Sequence, residues 1–208
     1  MTSSPDAIPR PRPLSDLKAA VAAVVLAKGH LRLDQPVKLA SGDWSYDYVD
    51  VKRALARGGD LRLAGEALLA LAAEEGWGFD SVGGLTLGAD QFAHAVAVLG
   101  DKSWFVVRKA EKDHGTKRRI EGAAVAAGVR VLLVDDVVTR GGSILQAFDA
   151  VTDAGAQVAG VTALVDRGPT TSAIFRQRGV PYRPLLTYAD LGIAPVGGEP
   201  AGGAEAAV

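Results

Sequence analysis

Residues 129–134 read Val-Arg-Val-Leu-Leu-Val, a nearly unbroken apolar run of strand length. It leads straight into Asp135-Asp136, then Val137-Val138, then Thr139-Arg140-Gly141-Gly142-Ser143. Ile144, Ala147, Phe148 and Val151 follow at helical spacing, with Gly155 as a stop. A strand without polar alternation is buried on both faces, so it must lie inside a sheet covered by helices on either side. The rest of the chain fits that frame. Helices are expected around Leu17–Val25, 64–71, 92–99 and 172–178, and strands around 80–83, 103–107, 157–165 and 182–187. Strand and helix alternate, which predicts an α/β domain with a mainly parallel central sheet and helices on both faces. In such sheets ligands bind beyond the carboxyl ends of the strands.

The loop after residues 129–134 carries chemistry at that place. Two adjacent carboxylates can accept hydrogen bonds from a vicinal diol, such as the 2′ and 3′ hydroxyls of a ribose. The Thr/Gly/Ser loop opens a helix, where glycines permit close backbone approach and free N–H groups favour a phosphate. Read alone, Asp135-Asp136 is equally an acidic pair that caps the next helix, or the acidic pair of receiver and magnesium-dependent hydrolase folds. The attached glycine loop favours a ribose phosphate. Two rival phosphate motifs fail. Gly83 and Gly88 have P-loop spacing, but Ala89-Asp90 follows where Lys-Ser/Thr is needed, and no Gly-x-Gly-x-x-Gly follows a strand.

Residues 131–143 resemble the phosphoribosyl pyrophosphate signature of type I phosphoribosyltransferases. A second segment, Arg108-Lys109-Ala110-Glu111-Lys112-Asp113-His114-Gly115-Thr116, gathers cations that alone would read as a solvated basic loop. In this order it resembles the catalytic loop of orotate phosphoribosyltransferases. Leu39-Ala40-Ser41-Gly42 followed by Ser45-Tyr46-Asp47-Tyr48-Val49-Asp50 resembles that family's N-terminal, orotate-side segment. Tyr48 by itself is equally a half-buried strand residue. Val165-Asp166-Arg167-Gly168 places an Arg at a strand end, suited to a carboxylate, or to a surface ion pair with Asp166. Residues 82–88 match the family loop that lies against pyrophosphate.

The resemblance spans roughly residues 15–192 and implies a type I phosphoribosyltransferase fold with a small N-terminal hood. It implies transfer of a phosphoribosyl group from 5-phosphoribosyl 1-pyrophosphate (PRPP) to orotate, in pyrimidine biosynthesis. Lys112, Asp135 and Asp136 are the implied catalytic residues. Arg108, Lys109, Lys112 and His114 would serve the pyrophosphate, and Asp135 and Asp136 the ribose hydroxyls. Val137, Val138, Thr139, Arg140, Gly141, Gly142 and Ser143 would wrap the 5′-phosphate. Ser41, Tyr48, Thr139 and Arg167 would meet orotate. Magnesium is the implied cofactor, held mainly by the donor's own oxygens and at most through water by Asp136. The implied partner is a second copy of the chain, in a homodimer with shared active sites. Two positions depart from the common pattern: Ala40 and Leu87 stand where many members carry Lys.

Composition bounds the rest. With 208 residues, one domain over 14–194 is expected, between a loose Pro/Ser-rich arm at 1–13 and a Gly/Ala-rich tail at 195–208. The chain has 23 basic and 24 acidic residues, which gives no reason to expect nucleic acid or a membrane surface as partner. It has no cysteine, which excludes disulfides, thiolate nucleophiles and Cys-based zinc sites. No apolar run approaches membrane-spanning length, and a cytoplasmic protein is expected. Two other readings remain at this level. One is the same fold acting on another base, such as a purine. The other is a non-enzymatic regulator that keeps the donor pocket for sensing.

Overall fold

A computed structural model of the protein describes residues 12–110 and 119–197. The described chain opens with α1 (Leu14–Lys28), followed by an antiparallel hairpin of β1 (His30–Lys38) and β2 (Trp44–Val49). Then come α2 (Val51–Ala54), α3 (Gly58–Glu74), β3 (Ser81–Leu85), α4 (Asp90–Gly100), β4 (Ser103–Val107) and β5 (Ile120–Gly122). β6 (Arg130–Val138), α5 (Gly142–Asp153), β7 (Gln157–Asp166), α6 (Thr170–Gln177) and β8 (Leu186–Thr187) complete it. The main sheet has the order β5-β4-β3-β6-β7-β8, parallel throughout except for the β4–β5 pair.

The period of two along β6 builds two cores. Leu132 and Val134 face α1, α3 and α4, packing with Leu17, Val21, Leu68 and Phe92. Val131 and Leu133 face α5 and α6, packing with Ile144, Val151 and Phe175. All four β6 side chains are essentially removed from water, each stabilising the fold by about 2 kcal/mol. The chain thus holds helices on both sheet faces, as the unbroken apolar run requires.

Sheet topology places the site. From β3 the chain moves outward to β4 and β5, whereas from β6 it moves the other way to β7 and β8. The strand order therefore reverses between β3 and β6, where an open α/β sheet has its crevice. The β3–β6 ladder ends at Gly83↔Leu133, but the β6–β7 ladder runs on to Val138↔Asp166. Asp135 and Asp136 consequently lie within β6, not beyond its end as the apolar run alone suggests. Pairing with β7 extends the strand, and the departure of β3 opens their other side.

Other boundaries moved for local reasons. α3 begins at Gly58, ahead of its apolar stripe. The expected strand 182–187 shrinks to an isolated Val161↔Tyr182 bridge and β8, because Pro184 between them has no N–H to give. Residues 195–197, assigned to the tail by composition, pack onto the end of β7. Val196 is buried and its N–H donates to the Arg167 carbonyl at 2.7 Å. Residues 1–11 and 198–208, with most of the expected arm and tail, lie outside the described residues.

Candidate active site

The acidic pair is the hub of three hollows. Asp135 and Asp136 both line a cleft of about 650 Å³, walled also by Lys52, residues 85–88, Arg108, Lys109, Ala110 and Ser143. Asp136 also lines a hollow of about 230 Å³ with Leu39–Ser41, Tyr48–Lys52, Val137, Thr139 and Arg167. Asp135 lines a third, about 300 Å³, formed by Ala40, Ser41 and residues 137–143. The geometry thus brings most of the sequence-expected residues into one connected site.

The two carboxylates differ. Asp135 is only 3% exposed, and one oxygen accepts the Asp136 N–H at 2.9 Å. Burial, then the neighbouring Asp136 charge, push its pKa up from 3.8 to about 7. Asp136 is more open; its Oδ1 accepts the Val137 N–H at 2.7 Å, and its Oδ2 takes the Lys52 ammonium. Burial works to lower the Lys52 pKa, but its bond to Asp136 overrides this and raises it. Gly88 approaches the pair so closely that a Cβ there would stand 2.4 Å from Asp135 Oδ1. Backbone therefore closes this side of the pair where any side chain would collide.

The loop after β6 turns on Gly141, whose φ of 76° suits glycine, and hands over to α5 at Gly142. The first N–H groups of α5 have no partner within the helix and face the 300 Å³ hollow, a natural phosphate seat. The Arg140 guanidinium turns away from the loop and forms a two-pronged pair with Asp43, at 2.9 and 2.6 Å. That pair holds the Asp43 carboxyl below its usual range. It ties the loop to the Ser41–Gly42 turn across 97 residues of sequence.

The 230 Å³ hollow is lined by residues from far-apart parts of the chain. β2 alternates, burying Ser45, Asp47 and Val49 and exposing Trp44, Tyr46 and Tyr48, so Tyr48 reaches the hollow from the open face. Ser41 Oγ is enclosed there without a hydrogen-bond partner among the described residues. Arg167 is 1% exposed and does not pair with Asp166. Its guanidinium donates to the Asp47 carbonyl at 3.0 Å and to Ser45 Oγ at 3.1 Å, leaving Nε without a partner. Asp166 is engaged by the Tyr182 hydroxyl at 2.7 Å and the Gly168 N–H at 3.0 Å. Asp47 itself is clamped by His30 at 2.9 Å and Arg32 at 2.7 Å. The ion-pair reading of Arg167 is therefore replaced by a buried cation that lines the 230 Å³ hollow.

On the far side, Arg108 and Lys109 stand at the end of β4. The Arg108 guanidinium donates to Glu121 at 3.2 Å. Lys112 and His114 lie outside the described residues, which resume at Arg119. Leu87 projects into solvent at the cleft rim, 76% exposed, and Ala40 lines the smaller hollows. Sequence reasoning missed Lys52, Asp43 and the closeness of Gly88. Lys52 lies in no stretch whose local pattern marks it, and Asp43 and Gly88, although within the 39–50 and 82–88 segments, matter only through partners far along the chain.

A family model described as a phosphoribosyl transferase domain matches residues 61–175. Over 159 residues the chain is 44% identical to the orotate phosphoribosyltransferase of Corynebacterium glutamicum, covering 76% of this chain and 85% of that one. The chain belongs to the orotate phosphoribosyltransferase family. Solved structures agree. A phosphoribosyltransferase from Corynebacterium diphtheriae aligns with TM-score 0.72 and 37% identity over 86% of this chain and 99% of that one. The Mycobacterium tuberculosis orotate phosphoribosyltransferase in complex with PRPP aligns with TM-score 0.69 and 37% identity, over 85% and 99%. The fold of this family member is the type I phosphoribosyltransferase fold, with the β1–β2 hairpin as its N-terminal hood.

Proposed function

We propose that the protein transfers the phosphoribosyl group of PRPP to orotate, giving orotidine 5′-monophosphate and pyrophosphate. The observation that carries this reading is the meeting of three hollows at Asp135–Asp136. A phosphoribosyl donor that meets its acceptor has the same branching: a ribose that carries a 5′-phosphate and a pyrophosphate and faces an incoming base. The 5′-phosphate fits the glycine loop and the start of α5, the pyrophosphate fits the cleft at Arg108 and Lys109, and the base fits the hollow beside Tyr48.

The chemistry follows from that placement. The bond between the anomeric carbon and pyrophosphate breaks as a ring nitrogen of orotate bonds to the same carbon. Positive charge builds on the sugar and negative charge on the leaving group. Asp135 and Asp136 hold the 2′ and 3′ hydroxyls and fix the ribose, and no protein nucleophile is required. Arg108 and Lys109, with Lys112 and His114 brought by the rest of their loop, stabilise the departing pyrophosphate. Val137, Val138, Thr139, Arg140, Gly141, Gly142 and Ser143 form the 5′-phosphate seat, mainly through backbone N–H groups. Ser41, Tyr48 and Thr139 border the base. Arg167 sets a positive charge where the orotate carboxylate would lie.

Among the described residues no group of three or more His, Asp or Glu side chains could hold a metal, and Lys52 already occupies Asp136 Oδ2. That donor set fits magnesium carried by the oxygens of PRPP, with Asp136 reaching it at most through water. The ion would supply charge neutralisation on the pyrophosphate. We further propose a cytoplasmic homodimer in which Lys112 and His114 complete the neighbouring subunit's site, beside that subunit's own Arg108 and Lys109. A net charge of -1 supports small-molecule substrates over nucleic acid. Among the described residues no helix is long and apolar enough to cross a membrane.

A spectrophotometric panel tests the reading. With PRPP and magnesium, orotate should be consumed and purine bases left untouched. Consumption of a purine but not orotate would move the protein to another base, and PRPP binding without turnover of any base would make it a donor sensor.

A further inference from the structure

Lys52 belongs to none of the sequence patterns that mark this site, yet it stands where two of the three hollows join. It lines both the cleft beside Arg108 and Lys109 and the base-side hollow beside Tyr48 and Arg167. No other cation lines both among the described residues. Its ammonium sits on Asp136 Oδ2, the other oxygen of that carboxylate being taken by the Val137 N–H, while its side chain stays 51% exposed. Leu87 lines the first of these hollows and Ala40 the second, and neither adds a charge.

We propose that Lys52 is a donor-binding residue that holds Asp136 in the free protein and moves onto the donor's pyrophosphate when the ribose hydroxyls take that carboxylate. Three features support the exchange. Lys52 sits in the first turn of α2, a helix of only four residues, and its four-carbon stem can swing without moving the sheet. The diol and the ammonium compete for the same outward oxygen of Asp136. A pyrophosphate in the adjoining cleft carries several negative charges, so an ammonium displaced from one carboxylate finds a stronger field within reach. In the free protein Lys52 has a second use: its charge opposes the upward push that burial and Asp136 exert on Asp135.

The inference rests on the donor reading above. Its test compares two ligands that differ only in pyrophosphate: PRPP and ribose 5-phosphate. Affinities of the intact protein, K52A, K52Q and K52R are measured by calorimetry in magnesium buffer at fixed ionic strength, without orotate. K52A should weaken PRPP by about 10- to 100-fold, the usual worth of a hydrogen bond to a charged group. Ribose 5-phosphate should bind K52A as well as, or better than, the intact protein, since Asp136 is freed. K52Q keeps a polar side chain that can still donate a hydrogen bond, so it guards against a loss of fold, and it should show the same selective loss. K52R should recover most PRPP affinity. Equal weakening of both ligands would mean that Lys52 only props Asp136, and unchanged PRPP affinity in K52A would remove the role altogether. Either result overturns this inference while leaving the donor reading intact. An intact protein that binds no PRPP would instead sink that reading.

Discussion

The donor side and the base side of this site are built in opposite ways. On the proposed donor side, a continuous stretch from β6 into α5 places the acidic pair and the glycine loop, and it is anchored in both cores of the sheet. On the base side, the β1–β2 hairpin brings Ser41 and Tyr48 over the crevice but buries little apolar surface. β1 has no fully buried residue. The hairpin is held instead by polar links to distant parts of the chain: Arg140 to Asp43, Arg167 to Asp47 and Ser45, and, just past the hairpin, Lys52 to Asp136. These join residues 97, 120, 122 and 84 apart. A site of this kind can keep its donor pocket rigid while its base pocket depends on a few hydrogen bonds.

The largest expected effect falls on the donor side. Asp135→Asn or Asp136→Asn should lower kcat/KM on the order of a thousandfold by weakening the grip on the ribose hydroxyls. Steady-state rates of orotate consumption check it. Asp135→Asn should also raise stability. The Asp135 carboxyl titrates near 7 in the fold against 3.8 for an unperturbed group. Between those values the folded chain binds the extra proton, so stability falls as pH rises through that window and the cost is complete above it. The Asn variant should therefore melt higher than the parent at pH 8, on the order of 1–3 kcal/mol, and lose that advantage below pH 4. Equal melting curves at pH 8 would show that Asp135 is not held against its charge.

Next in size is Arg167→Ala, which removes both the positive charge behind the base and the tie to β2. KM for orotate should rise about 100-fold while PRPP affinity changes little. Titrating each substrate separately checks the split, and a matching loss of PRPP affinity would blur the two sides into one. The smallest effect belongs to Asp43→Ala. Its pair with Arg140 is half exposed on the arginine side, and such pairs contribute little. KM for orotate should rise by a few-fold at most, and PRPP affinity should hold.

The same contrast explains what the sequence made legible. Residues 129–143 carry their meaning locally: an apolar run, an acidic pair and a glycine turn in unbroken order. The doubly covered sheet could be read from them without coordinates, and so could the residues that line the proposed donor pocket. Arg167 could be read as a strand-end cation, but not as one buried against the backbone of β2, because its partners Ser45 and Asp47 are far off along the chain. Lys52 is an ordinary lysine after Val51 until α2 sets it beside Asp136. Asp135 and Asp136 looked like residues past a strand end because apolar periodicity stops at Val134. Their place inside β6 comes from pairing with β7, which no local pattern reveals.

The account is tested most directly by a crystal structure of the protein bound to orotidine 5′-monophosphate. It predicts the 5′-phosphate against the N–H groups of residues 139–143, the ribose hydroxyls on Asp135 and Asp136, and the base carboxylate within hydrogen-bonding distance of Arg167. A nucleotide seated with its ribose away from the acidic pair, or with its base in the cleft beside Arg108 and Lys109, would contradict it.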